Sequence, residues 1–155
     1  MYLLSILFLI VFCIGYSLMI SGGNIYSYLD LASLILIILS VLPILLSTGL
    51  LKDFNNAFRL SIKRREAGSQ IELQRAVEAV NLVIKTLWAA GVFHFAFGTI
   101  HVMASMEGVT LIRGISVSMI TLLYAVFFII LLLPLRTRLH VCLLELAESP
   151  AEPKA

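Results

Sequence analysis

The chain has 155 residues, of which 61% are hydrophobic and only 13% are charged, and its mean hydropathy is +1.05. This composition excludes an ordinary water-soluble globule and a disordered chain. The formal net charge of +2 provides no basic field of the kind that nucleic acid requires. The length predicts a single domain over residues 1–146, followed by a flexible tail over 147–155.

The apolar residues fall into blocks of about twenty, the length that a helix needs to cross a hydrocarbon core about 30 Å thick. They predict an all-α integral membrane protein with four spans, at about residues 2–20, 31–51, 82–105 and 115–133. The first block could also be a secretory signal cleaved near Gly22-Gly23. Its length and the lack of a preceding Lys or Arg favour a retained span. Pro134 is expected to end the fourth span, because proline cannot donate the next helical hydrogen bond.

The distribution of basic residues predicts the orientation. Ten of the 11 Lys and Arg residues lie between residues 52 and 85 or in the C-terminal tail, whereas the two other loops hold only Arg113. By the positive-inside rule, both termini are cytoplasmic. Tyr26 and Tyr28 are then expected in the outer aromatic belt.

The polar stretch over 52–81 is predicted to be a short cytoplasmic helical region, since Leu73, Val77 and Val80 recur at helical spacing. With a break at Gly68-Ser69, we expect two short helices that extend the second and third spans. The basic stretch would contact anionic lipid or, alternatively, dock a partner. The apolar stripe over residues 139–146 is expected to continue the fourth helix inward.

Small and polar residues follow single stripes along the spans, which is typical of helix–helix contact in membranes. The second span has Ser33, Ser40 and Ser47 near Pro43, which is expected to kink it. In the third span the stripe comprises Gly91, His94, Gly98, His101 and Ser105, and in the fourth it comprises Gly114, Ser118, Thr121 and Ala125. Plain helix packing is one interpretation of these stripes. A hydrated pathway is the other.

His94 falls near the middle of its span, where an ionisable group is costly and is a functional candidate. A hydrogen-bonded packing histidine is the alternative. His94 and His101 are about 10.5 Å apart along the helix, so they cannot be the two axial ligands of one haem. Cys13 and Cys142 are interpreted as buried thiols. Without a metal motif, phosphate loop or nucleophile elbow, the sequence predicts no cofactor and no enzymatic activity.

Three segments resemble the MotA/TolQ/ExbB proton-channel family. Residues 21–33, SGGNIYSYLDLAS, are similar to the turn between the first two spans of flagellar stator A subunits. Residues 91–103, GVFHFAFGTIHVM, resemble the glycine-spaced third span of the family. Residues 116–135, SVSMITLLYAVFFIILLLPL, resemble its fourth span with its Thr, Tyr and terminal Pro. The resemblance covers roughly residues 14–51 and 86–140.

The resemblance implies a channel-forming A-type subunit in a bacterial inner membrane. Five such subunits would surround single-span B-type subunits, which supply the ion-binding aspartate of an ion-driven motor or energy-transducing complex. Thr121 corresponds to a threonine of the ion path, and Pro134 to the proline that ends the fourth span. The candidates for the ion path are Thr121, Ser118, His94 and His101. The helix-packing candidates, through which the subunits would oligomerise, are Gly91, Gly98, Gly114 and Ala125.

The chain also departs from the family pattern. Leu122 and Phe95 stand where threonine is common, and Trp88 stands where a proline is usual. The large cytoplasmic domain of flagellar stators is reduced here to about thirty residues. These departures favour an alternative function, a non-conducting membrane scaffold that kept the fold and lost the ion path.

Overall fold

The computed structural model describes residues 30–62, 69–105 and 107–148, together with six helical positions near the N-terminus, Phe8, Val11, Phe12, Gly15, Tyr16 and Met19. Most of the predicted first span, the loop that holds Tyr26 and Tyr28, and the predicted tail lie outside the described residues. Cys13 also lies outside them, whereas Cys142 is a half-buried free thiol.

Nearly all described residues from Leu31 to Glu148 are helical, which confirms the predicted all-α class. Its four helices are α1 (Leu31–Ser47), α2 (Leu51–Ile62), α3 (Gln70–Ser105) and α4 (Val109–Glu148). Two of them, α3 and α4, are long and apolar enough to cross a membrane, and α1 and α2 pass the same test only as one bent pair. These helices are consistent with an integral membrane protein.

Side-chain caps define two of the helix starts. Asp30 has extended backbone angles and its carboxylate accepts the backbone N–H of Ser33, so it caps α1. At the start of α3, the Ser69 hydroxyl accepts the backbone N–H of Glu72 at 3.4 Å. The order Ser-Gln-Ile-Glu is that of a capping box, which explains why the helix begins immediately after Ser69.

A sharp elbow separates α1 from α2. The Thr48 hydroxyl donates to the carbonyls of Ile44 and Leu45, and Gly49 adopts a left-handed conformation with a φ of +68°. Glycine takes this conformation without the steric penalty of a side chain. The two helices consequently meet at 104°. The expectation that a helix directly extends the second span is therefore wrong.

The prediction that Pro134 ends the fourth helix is also wrong, because α4 continues through it to Glu148. Proline in a helix interior costs about 3 kcal/mol. The side chains of Leu132, Leu135 and Leu139, which flank Pro134, are buried. In a membrane helix, neighbouring helices and small local adjustments satisfy the backbone groups that proline frees, and the packed leucines keep such a neighbour in place.

The bundle is built on the long antiparallel pair α3 and α4, against which α1 and α2 pack. Its core lies mainly toward the end of the bundle where α3 begins, and Ala57 of α2 contributes to it. The core residues of the long pair are Ala76, Val77, Val80, Val83, Leu87, Ala125, Leu132, Leu135 and Leu139, and those of α1 are Ile37 and Leu45.

Candidate functional site

The glycines of the stripes predicted in the third and fourth spans lie in the contact between α3 and α4 of one chain. A Cβ atom built on Gly91 would lie 2.5 Å from the Cβ of Ala125, and one built on Gly98 would lie 2.5 Å from the Ser118 Oγ. The contact repeats at Gly114, where a Cβ would lie 2.6 Å from a methyl group of Val102. These contacts allow the close backbone approach that small residues give in membrane helix pairs. These glycines are therefore used for contacts within the chain.

A polar cluster lies where the start of α1 meets α4. We name Asp30, Ser33, Thr121 and Tyr124 the hydroxyl cluster. The Ser33 hydroxyl donates to the Asp30 carboxylate and lies 2.7 Å from the Thr121 hydroxyl. The backbone N–H of Asp30 donates to the Tyr124 hydroxyl at 3.1 Å. Ser33 is only 2% exposed and Thr121 only 5% exposed.

The direction of the hydrogen bonds in the cluster follows from the number of available protons. The Ser33 hydroxyl has one hydrogen and donates it to Asp30, so Thr121 must be the donor in its bond with Ser33. The bonds therefore run from Thr121 through Ser33 to a carboxylate. This series of hydrogen bonds orients both hydroxyls toward the negative charge and links α4 to the first turn of α1.

Asp30 and Tyr124 are the members of this cluster that are not among the residues predicted from the sequence. One signal was available in the sequence. An Asp three residues before a Ser, at the start of an apolar run, is typical of a helix N-cap. The pattern identifies the cap, but it does not reveal that Ser33 also reaches Thr121 on another helix.

His94 is a half-buried residue of α3, and its Nε2 atom lies 2.9 Å from the Ser40 hydroxyl of α1. The Ser40 hydroxyl also lies 2.8 Å from the Leu36 carbonyl, and when it donates there, the His94 Nε2 atom is the donor to Ser40. This bond links α1 to α3. The geometry therefore supports the hydrogen-bonded packing interpretation of His94.

Among the described residues, the other two ion-path candidates make no hydrogen bond to the hydroxyl cluster. Ser118 is buried between α3 and α4, where its hydroxyl donates to the Gly114 carbonyl. His101 is exposed on α3, and its ring has no hydrogen-bond partner among the described residues. The structure thus distributes the four candidates over four different environments.

We expect His94→Leu to lower the free energy of unfolding by less than about 1 kcal/mol, since one interhelical hydrogen bond in a membrane protein contributes about that much. Ser40 stays satisfied through Leu36. Unfolding of the detergent-solubilised protein measures the change, and His94→Gln, which can still donate to Ser40, is the control. A loss of several kcal/mol in His94→Leu alone would contradict a simple packing role.

A polar groove lies between α3 and α4, at the end of the pair where α3 begins. It has a volume of about 330 Å³ and is lined by four residues each of α3 and α4, Gln74, Val77, Glu78, Asn81, Arg136, Thr137, His140 and Leu143. Among the described residues, no cluster of His, Cys, Asp or Glu could hold a metal ion.

Comparisons of the chain with family models, with curated proteins and with solved structures found no match.

Proposed function

We propose that this chain is the channel-forming A-type subunit of an ion-driven membrane complex in a bacterial inner membrane. It would have four spans and cytoplasmic termini, and it would assemble into a homo-oligomer around a single-span B-type partner that supplies an aspartate. The resemblance of the second, third and fourth spans to the MotA/TolQ/ExbB family supports this proposal. The proposed chemistry is electrostatic and conformational, with no covalent step.

The uninterrupted length of α3 and α4 is the observation on which this proposal rests. With 36 and 40 residues, the two helices are about 54 and 60 Å long, well beyond a hydrocarbon core about 30 Å thick. Neither helix breaks where its apolar segment ends, since α3 contains Lys85 and α4 contains Arg136. A displacement inside the membrane is therefore transmitted along both helices to the end beyond it, as an energy-transducing subunit requires.

His101 supports the presence of a partner within the membrane. Its exposed ring lies on an apolar helix surface that also includes Phe97 and Ile100. A polar side chain in a membrane helix generally faces a protein or water, because contact with acyl chains is costly. We therefore place the contact with a neighbouring subunit or the B-type partner on this face of α3.

The alternative function is a non-conducting scaffold, and the burial of the two hydroxyls favours it. Thr121 and Ser118 contact other residues of the same chain instead of lining an open surface. Purification of the intact complex from its native membrane distinguishes the two functions. A co-purifying single-span protein with a membrane aspartate supports the channel, and a homo-oligomer that lacks such a protein and conducts no ions supports the scaffold.

Thr121→Val tests the ion path directly. If ions pass along the hydroxyl cluster, loss of this hydroxyl is expected to lower the ion flux of the reconstituted complex at least about fivefold, the equivalent of one net hydrogen bond. Thr121→Ser retains the hydroxyl and is the control. Both variants must be present at the wild-type level in the membrane. Equal flux in the Val and Ser variants would remove Thr121 from the path.

A further inference from the structure

Helix α2 has one buried side and one exposed side of mixed character. Ala57 and Ser61 are buried against the bundle, and Phe54 packs on its core. On the exposed side, Leu51 and Phe58 lie seven residues apart and share one edge. Lys52 and Arg59 share the neighbouring edge, about 100° further round the helix. An apolar edge beside a basic edge is typical of a helix that lies in a membrane interface.

Two features fix the position of α2. It meets α1 at 104°, so it does not continue the line of α1. An ion pair of 2.9 Å between Asp53 and Arg75 fixes α2 beside α3. The elbow and the ion pair together hold α2, with its exposed edges, in one orientation relative to α3.

The depth of α2 in the bundle also fits a membrane interface. Gly91 lies opposite Ala125, and continuing this antiparallel register places Arg136 opposite Val80. Between Thr86 and Ser105 of α3, and between Gly114 and Leu135 of α4, there is no charged residue. The first charges beyond these segments, Lys85 and Arg136, mark one edge of the apolar layer. Helix α2 lies just beyond this edge, since its Asp53 pairs with Arg75, which the same register places opposite Val141.

We propose that the exposed side of α2 binds the anionic surface of the bilayer. Phe58 and Leu51 insert among the upper acyl segments, while Lys52 and Arg59 contact phosphate-bearing headgroups. Basic side chains at a membrane surface are attracted to anionic lipid. Their long aliphatic stems let the charges reach the headgroups while the helix stays at the boundary. Asn56, on the opposite edge of α2 from Phe58, faces water.

Fluorescence quenching of the full-length chain in vesicles tests this surface. With Cys13 and Cys142 replaced by Ser, a single Cys replaces either Phe58 or Asn56 and carries a fluorophore. Iodide quenches from water, whereas phosphatidylglycerol or phosphatidylcholine with a nitroxide headgroup quenches from the membrane surface. We expect position 58 to be quenched by the nitroxide lipids and protected from iodide, and position 56 to show the reverse.

The lipid preference tests the role of the charges. Nitroxide phosphatidylglycerol should quench position 58 better than nitroxide phosphatidylcholine, and Lys52→Gln with Arg59→Gln should lower this preference about 30-fold. Quenching of position 58 by iodide would overturn the proposal. Quenching by neither iodide nor the nitroxide lipids would also overturn it, because protein would then cover the helix. An unchanged preference in the double variant would exclude headgroup binding by these two residues. None of these outcomes depends on ion conduction.

Discussion

Gly91→Ala is expected to lower the free energy of unfolding by about 2 kcal/mol, within the range of overpacked cores. The new methyl group would lie 2.5 Å from the Cβ of Ala125, which is fixed to the backbone and cannot rotate away. Helices α3 and α4 must therefore separate along their whole contact. Reversible unfolding of the purified protein in mixed micelles measures the loss.

Two companion variants separate this steric effect from the general cost of changing a glycine. Gly98→Ala is expected to cost less, because its methyl group meets the Ser118 hydroxyl, and that hydroxyl can turn to another rotamer. Adding Ala125→Gly to Gly91→Ala should restore most of the lost stability by removing the clashing atom. If Ala125→Gly has no effect in the Gly91→Ala background, the two residues do not meet.

Asp30→Ala is expected to cost about 2 kcal/mol. About 1 kcal/mol comes from loss of the N-cap of α1. The rest arises because the buried Ser33 hydroxyl loses its acceptor and the Thr121–Ser33 bond loses its orientation. Thermal unfolding, followed by near-ultraviolet circular dichroism, reports the change.

Asp30→Asn is the matched control for the cluster. The amide oxygen still caps α1 and still accepts from Ser33, so most of the stability is expected to remain. Equal losses in the Ala and Asn variants would show that the negative charge, and not the acceptor position, stabilises the cluster. An Ala variant as stable as wild type would show that Ser33 finds another acceptor.

Much of the fold follows from apolar patterning. The spacing of Leu73, Val77 and Val80 predicts a helix, and the structure places these residues on the buried side of α3. The elbow could also be anticipated, because Gly49 follows directly after the apolar run of α1 and favours the left-handed conformation that ends a helix. Pro134 shows where local rules fail. The energetic cost of a proline inside a helix is set by the backbone. Whether the fold tolerates Pro134 depends on buried leucines whose partners lie on another helix.

The candidate site was less predictable than the fold. Periodicity identifies the side of a helix on which Gly91 and Gly98 lie, but it does not say whether that side meets the same chain or a neighbouring copy. The hydrogen bond between Ser33 and Thr121 joins residues 88 positions apart, so no local pattern contains it. His94 and His101 share a stripe by spacing, yet one bonds to Ser40 and the other is exposed.

The spacing of the glycine contacts has a consequence for motion. Gly91, Gly98 and Gly114 each accept a particular neighbour, and all three contacts belong to one register between α3 and α4. We therefore expect the two helices to tilt or rotate together as one unit. Within residues 30–62 the helical ladder is broken at Thr48-Gly49, where α1 can pivot while the long pair keeps its shape.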